Sequence, residues 1–121
     1  MKPLTALAFA ALVLAAVPSA SAQSAKAQQG AALFTAQKCT MCHSVAGKGN
    51  PKGPLDDIAA KNKAEHVRQW LNDPEGMRAK TNATRTPAMK AMKLSPDQID
   101  ALVAFLTSGS PDKPAAADAE R

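Results

Sequence analysis

The chain has 121 residues, a formal net charge of +5 and an isoelectric point near 9.5. Two cysteines allow at most one disulfide, and three phenylalanines, one tryptophan and no tyrosine leave little aromatic bulk for a core. The basic charge is not interleaved with aromatic residues, a pattern that argues against nucleic acid as a partner.

Residues 1–22 read as a secretory signal peptide. Met1-Lys2-Pro3 is a short basic lead, 4–17 is an apolar run without a charge, and Ala20-Ser21-Ala22 is a small-x-small cleavage pattern. The run is shorter than the roughly 20 residues that span a bilayer, so cleavage after Ala22 is expected, with no membrane span left behind. The exported chain would then begin at Gln23 and reside in the periplasm. It holds one small domain, 23–109, and a tail of Ala, Pro and charge, 110–121, expected to be disordered. A domain this small buries a modest share of its surface and often needs a staple. A large apolar cofactor at the centre would supply the missing core.

Residues 28–38 read as a helix that buries Ala31, Leu33, Phe34 and Ala36. Gly30 shares a face with Phe34 one turn later, and a glycine there marks a place where another helix can cross closely. Residues 45–55 are a loop of turn-formers: Gly47, Gly49, Asn50, Pro51, Gly53 and Pro54. A second helix is expected over 63–71, capped by Asn62 with Glu65 completing the box and stopped by Pro74. Residues 75–92 read as irregular. The last helix, 95–107, has Ser95 as cap, Pro96 in the first position and Gln98 in the capping box. Ile99, Leu102, Val103 and Leu106 form its apolar stripe, widened by Phe105, and Gly109 ends it. No run alternates like a strand, so the expected fold class is all-α.

The chemistry is concentrated at Cys39-Thr40-Met41-Cys42-His43. Cys-x-x-Cys-His is the spacing of covalent haem attachment. Cysteines three apart on a helical turn point to one side, so both thiols reach the two vinyl groups of one haem, and His43 faces the iron. A thioredoxin-like pair would need a βαβ pattern, and there is none. A zinc site would need four ligands, with only His66 available besides the triplet. A structural disulfide would not require His43. The second axial ligand is open among Met77, Met89, Met92, His66 and none. A lone Met is often flexible core filler, and His66 reads as an ordinary boundary histidine.

Over about residues 26–108 the chain resembles the small class I cytochromes c. Gly30 and Phe34 stand where that family crosses its first and last helices. Gly53-Pro54-Leu55 is similar to its Gly-Pro-x-Leu turn. His66-Val67-Arg68-Gln69-Trp70-Leu71-Asn72-Asp73-Pro74 resembles its middle helix, and Thr86-Pro87-Ala88-Met89-Lys90-Ala91-Met92-Lys93-Leu94-Ser95 resembles its axial-methionine loop. The resemblance implies about three main helices packed around one covalent haem c, with Cys39 and Cys42 as attachment points and His43 as an iron ligand. By the family's spacing to the apolar residue before the last helix, here Leu94, it selects Met89 as the second ligand, with Met92 as the alternative. Lys90 follows Met89 where the family often has proline. The resemblance also implies that the Pro54 carbonyl accepts a hydrogen bond from the free nitrogen of His43, and it places Trp70 by a haem propionate.

The function so implied is one-electron transfer by a periplasmic carrier, not an enzyme, because no catalytic acid or base stands out. His/Met ligation leaves no open position on the iron, and a thioether ligand raises the reduction potential. Lys38, Lys48, Lys52, Lys90 and Lys93 would ring the haem edge and steer redox partners with acidic docking surfaces. Such a carrier would be a monomer or part of a redox complex. Two alternatives are a haem subunit of a periplasmic dehydrogenase, for example one oxidising sulfur compounds, and a gas-binding or peroxidase-like haem protein with an open iron.

Overall fold

The computed structural model describes residues 20–108. It is mostly helical, in agreement with the all-α expectation. The expected leader lies, apart from Ala20-Ser21-Ala22, outside the described residues, as does the 110–121 tail.

Helix α1 (Ala20–Ala36) begins eight residues before the expected start and ends two before the expected end. Ala, Gln and Lys are good helix formers, and nothing before Gly30 breaks the run. The helix ends because Lys38 adopts a left-handed conformation, φ 60°, which turns the chain out of the helix. Helix α5 (Pro96–Thr107) follows its sequence signals closely. The Ser95 N–H donates to Gln98 Oε1 at 2.9 Å, and the Gln98 N–H donates to Ser95 Oγ at 3.3 Å. Ile99, Leu102, Val103, Phe105 and Leu106 are all buried. Gly109, the expected stop, lies outside the described residues; the helix is closed by the Ser108 N–H on the Ala104 carbonyl.

The two helices cross at Gly30. A Cβ there would overlap the Ala101 carbonyl oxygen and lie 2.6 Å from the Phe105 Cβ. One turn on, the Phe34 and Phe105 rings sit 5.6 Å apart at 59°, a tilted pairing that favours aromatic contact. Around this crossing gather Val45, Val67, Leu71, Ile99, Leu102, Val103 and Leu106 to form the core.

Between the crossing helices the structure departs from expectation in three places. Residues 44–49, expected to lack strands, form a small antiparallel hairpin, β1 (Ser44–Val45) and β2 (Lys48–Gly49). Ala46 and Gly47 both have positive φ, the requirement for a two-residue hairpin turn. A short helix α2 (Ile58–Lys61) follows, and Asn62 is spent closing it, its N–H bonded to the Ile58 carbonyl at 2.8 Å. Asn62 therefore does not cap α3 (Ala64–Asn72); Lys63 takes the cap position without a side-chain bond, so the expected Asn62–Glu65 box does not form. Finally, the stretch after Pro74 is not all irregular. Helix α4 (Pro74–Thr81) starts there, because Asp73 Oδ1 accepts the Gly76 N–H at 2.9 Å and Pro74 suits the first helical position. Pro74 thus stops one helix and opens the next. Arg68 on α3 is bonded to Asp100 on α5 at 2.6 Å, which fixes α3 across the last helix.

Gly30→Ala is expected to cost about 1–3 kcal/mol or more by overpacking the crossing, read as a lower denaturant midpoint of the haem-loaded protein. An unchanged midpoint would mean that the helices do not cross at Gly30.

Candidate haem site

The site is built on the turn that follows the α1–α5 crossing. After Lys38 the chain makes one turn of 3-10 helix, Cys39–Met41, closed by the Cys42 and His43 N–H groups on the Cys39 carbonyl at 3.1 and 2.9 Å. Cys39 and Cys42 are therefore one turn apart, both half-buried and both free thiols. Burial pushes the Cys39 thiol above the usual range, opposed by its backbone hydrogen bond and reinforced by nearby Cys42.

His43 is oriented by Gly53. Its Nδ1 donates to the Gly53 carbonyl at 3.3 Å, so Nε2 carries the free lone pair needed for a metal. The expected acceptor, the Pro54 carbonyl, is corrected by one residue. The Ser44 N–H on the Gly53 carbonyl (3.0 Å) and the Leu55 N–H on the Ser44 carbonyl (2.8 Å) lay the two chains side by side. That register brings Gly53 to the ring; Gly53 is buried and Pro54 exposed. The approach requires glycine, since a Cβ at 53 would overlap the Cys42 carbonyl oxygen. Burial is the main cause that lowers the His43 pKa below its ordinary 6.5; the Gly53 bond opposes it and Arg85 adds to it. The neutral, ligating imidazole therefore persists where a free histidine would start to take up a proton. A His pKa lowered by folding means that the stability it contributes is full above 6.5 and is lost as pH falls through the lower folded value.

Two residues of this turn escape motif reading. Asn50 donates its N–H to the Thr40 and His43 carbonyls, both at 3.0 Å, and its Nδ2 to the Met41 carbonyl at 3.0 Å. Its Oδ1 accepts the Lys52 N–H at 2.9 Å. Arg85 Nη2 donates to the Cys42 carbonyl at 2.5 Å. Asn50-Pro51 signals a turn, but nothing local shows which backbone it serves, and Arg85 is 43 residues from its partner.

The other predicted site residues fall as follows. Met89 is half-buried and packs on the core cluster with Leu33, Cys39, Leu55, Ile58 and Leu94. Met92 is half-buried but is not packed on that cluster. Met77 is 4% exposed on α4 and so fills the interior. Trp70 and His66 are half-buried on α3, and neither belongs to the core cluster. Lys38, Lys48, Lys52, Lys90 and Lys93 are all exposed, and none makes an ion pair among the described residues. Among the described residues no group of three or more His, Cys, Asp or Glu side chains is arranged to hold a metal ion.

These residues fit a covalent haem. Two free thiols one turn apart precede a histidine whose Nε2 is available. Leu33, Leu55, Ile58, Met89 and Leu94, like Cys39 itself, are partly buried and pack against the core cluster, so they keep apolar surface that the chain covers only in part. A cytochrome c family model matches residues 27–110. The chain belongs to the cytochrome c family. No curated protein and no solved structure matched it. Membership implies covalently bound haem c with its iron, and haem-based electron transfer as the activity. Cys39, Cys42 and His43 are the residues of this cytochrome that fit the haem-attachment roles.

Asn50→Ala is expected to cost about 1 kcal/mol, the usual net worth of an intramolecular hydrogen bond, measured by denaturant unfolding of the haem-loaded protein. No loss would mean that water replaces the Asn50 side chain at the Met41 carbonyl without cost.

Proposed function

We propose that this cytochrome is an exported carrier of single electrons, with one haem attached through Cys39 and Cys42 and held by His43 and Met89. The packing of Met89 on the core, in the strand of chain that leads into α5, is the observation that carries this reading. Of the other methionines considered, Met77 is buried on α4 and Met92 is half-buried, and neither is packed on that core cluster. The signal-like residues 1–22 support export to the periplasm, where c-type haem is attached. No helix among the described residues is long and apolar enough to cross a membrane.

When bound, the haem supplies an iron that gains and loses one electron. The protein's residues set the conditions. His43, oriented by Gly53, presents a neutral nitrogen. Met89 presents a soft thioether, which favours the reduced state. Leu33, Leu55, Ile58 and Leu94, which pack with Cys39 against the same core, would lower the local dielectric and disfavour added positive charge on the iron. If His43 and Met89 both hold the iron, the protein would leave no position on it for oxygen or substrate.

The reduced protein is expected to show no prompt spectral change on adding carbon monoxide, only slow uptake limited by release of Met89, whereas Met89→Ala should bind the gas readily. A prompt shift in the unaltered protein would contradict the closed site and favour a gas-binding or peroxidase-like role.

The five exposed, unpaired lysines support a second part of the proposal, docking to acidic redox partners. Electron-transfer rates with an acidic partner protein should fall steeply as salt is raised toward physiological strength. A flat salt response would remove the lysines from docking.

A further inference from the structure

Segment 82–95 carries Met89 between α4 and α5. Within it, residues 84–91 have little to hold them. Among the described residues they make no backbone–backbone hydrogen bond. Apart from the packing of Met89 on the core, they are fixed at one residue, Arg85. The Arg85 carbonyl accepts from Arg78 Nη1 on α4 at 2.9 Å. The Arg85 side chain reaches the other way, and Nη2 donates to the Cys42 carbonyl at 2.5 Å. Arg85 thus links α4 to the turn bearing Cys39, Cys42 and His43, and it sits four residues before Met89.

The space for this link is made by Gly53. A Cβ at 53 would run into the Arg85 guanidinium as well as the Cys42 carbonyl. One glycine therefore admits two contacts: its own carbonyl to His43 Nδ1, and the guanidinium to the residue before His43. A guanidinium is suited to this position, because it is planar, always charged and bonds an oxygen directionally.

We propose that Arg85 is a positioning residue for the second axial ligand: it ties the segment carrying Met89 to the turn carrying His43, so that the two ligands keep their separation as the iron changes oxidation state. This rests on the reading of Met89 as a ligand. It has a second consequence. A permanent cation on the Cys42 carbonyl disfavours the additional positive charge of ferric iron and biases the site toward the reduced form.

The test uses the full-length, haem-loaded protein and the variants Arg85→Ala, Arg85→Gln and Arg85→Lys. Two quantities are read: the rate at which the reduced protein takes up carbon monoxide, limited by release of Met89, and the reduction potential. Helical circular dichroism checks that each variant is folded. Losing a charge-assisted hydrogen bond should raise the carbon monoxide rate about tenfold or more in Arg85→Ala and Arg85→Gln. Both should also have a lower potential. Arg85→Lys should keep the potential near that of the unaltered protein while recovering only part of the slow rate, because it restores the charge without the fork. Unchanged rates and potentials in Arg85→Ala and Arg85→Gln, with only slow uptake by the unaltered protein, would overturn the role of Arg85 and leave Met89 as the ligand. Rapid uptake by the unaltered protein would overturn both readings together.

Discussion

The close approach of α1 and α5 at Gly30 is the contact on which the rest of the structure depends. It brings two backbones together where any side chain larger than hydrogen would meet the Ala101 carbonyl. The approach fixes the end of α1, and Lys38 then turns the chain so that Cys39 begins the next element beside the core. The same crossing sets α5 in place, and α5 in turn holds α3 through Asp100 and Arg68. The haem-attachment turn and the segment bearing Met89 are therefore both supported from one helix pair.

Around that pair, hydrogen bonds from separate parts of the chain gather on a single turn. Asn50 binds the carbonyls of Thr40, Met41 and His43, Gly53 binds His43 and Ser44, and Arg85 binds Cys42. These partners come from two separate stretches of sequence, 50–53 and Arg85, yet all converge on the five residues 40–44. A redox centre benefits from such bracing, because a site that keeps its geometry in both oxidation states has little to rearrange when an electron moves. Leu33, Leu55, Ile58 and Leu94, packed with Cys39 against the core, are only partly covered by protein. A bound haem would complete that surface and supply core that so small a chain lacks.

Much of this was legible in the sequence, and the misses have physical causes. The last helix could be read residue by residue, since its capping box, first-position proline and apolar stripe are local signals that agree. Gly30 was legible as a crossing point because it shares a face with Phe34. Helix α4 was hidden, since Pro74 reads as a terminator from one side and as a first helical residue from the other, and only the Asp73 cap decides between them. Asn62 was misassigned for a related reason: its backbone was already engaged by α2, which is too short to announce itself. At the site, Cys39, Cys42 and His43 follow from spacing alone. Gly53 in place of Pro54 depends on a one-residue register between distant chains, and Arg85 depends on a contact across the fold; neither leaves a local pattern.

The central claim is that Cys39 and Cys42 both carry one haem, presented to His43 in the exported chain. The intact mass under denaturing, reducing conditions tests it most directly, using protein expressed in cells able to attach c-type haem, beside Cys39→Ser and Cys42→Ser variants. The account predicts one haem retained per chain, with the polypeptide starting at Gln23, and loss of the attachment when both cysteines are replaced. A chain that carries no haem after denaturation would contradict it.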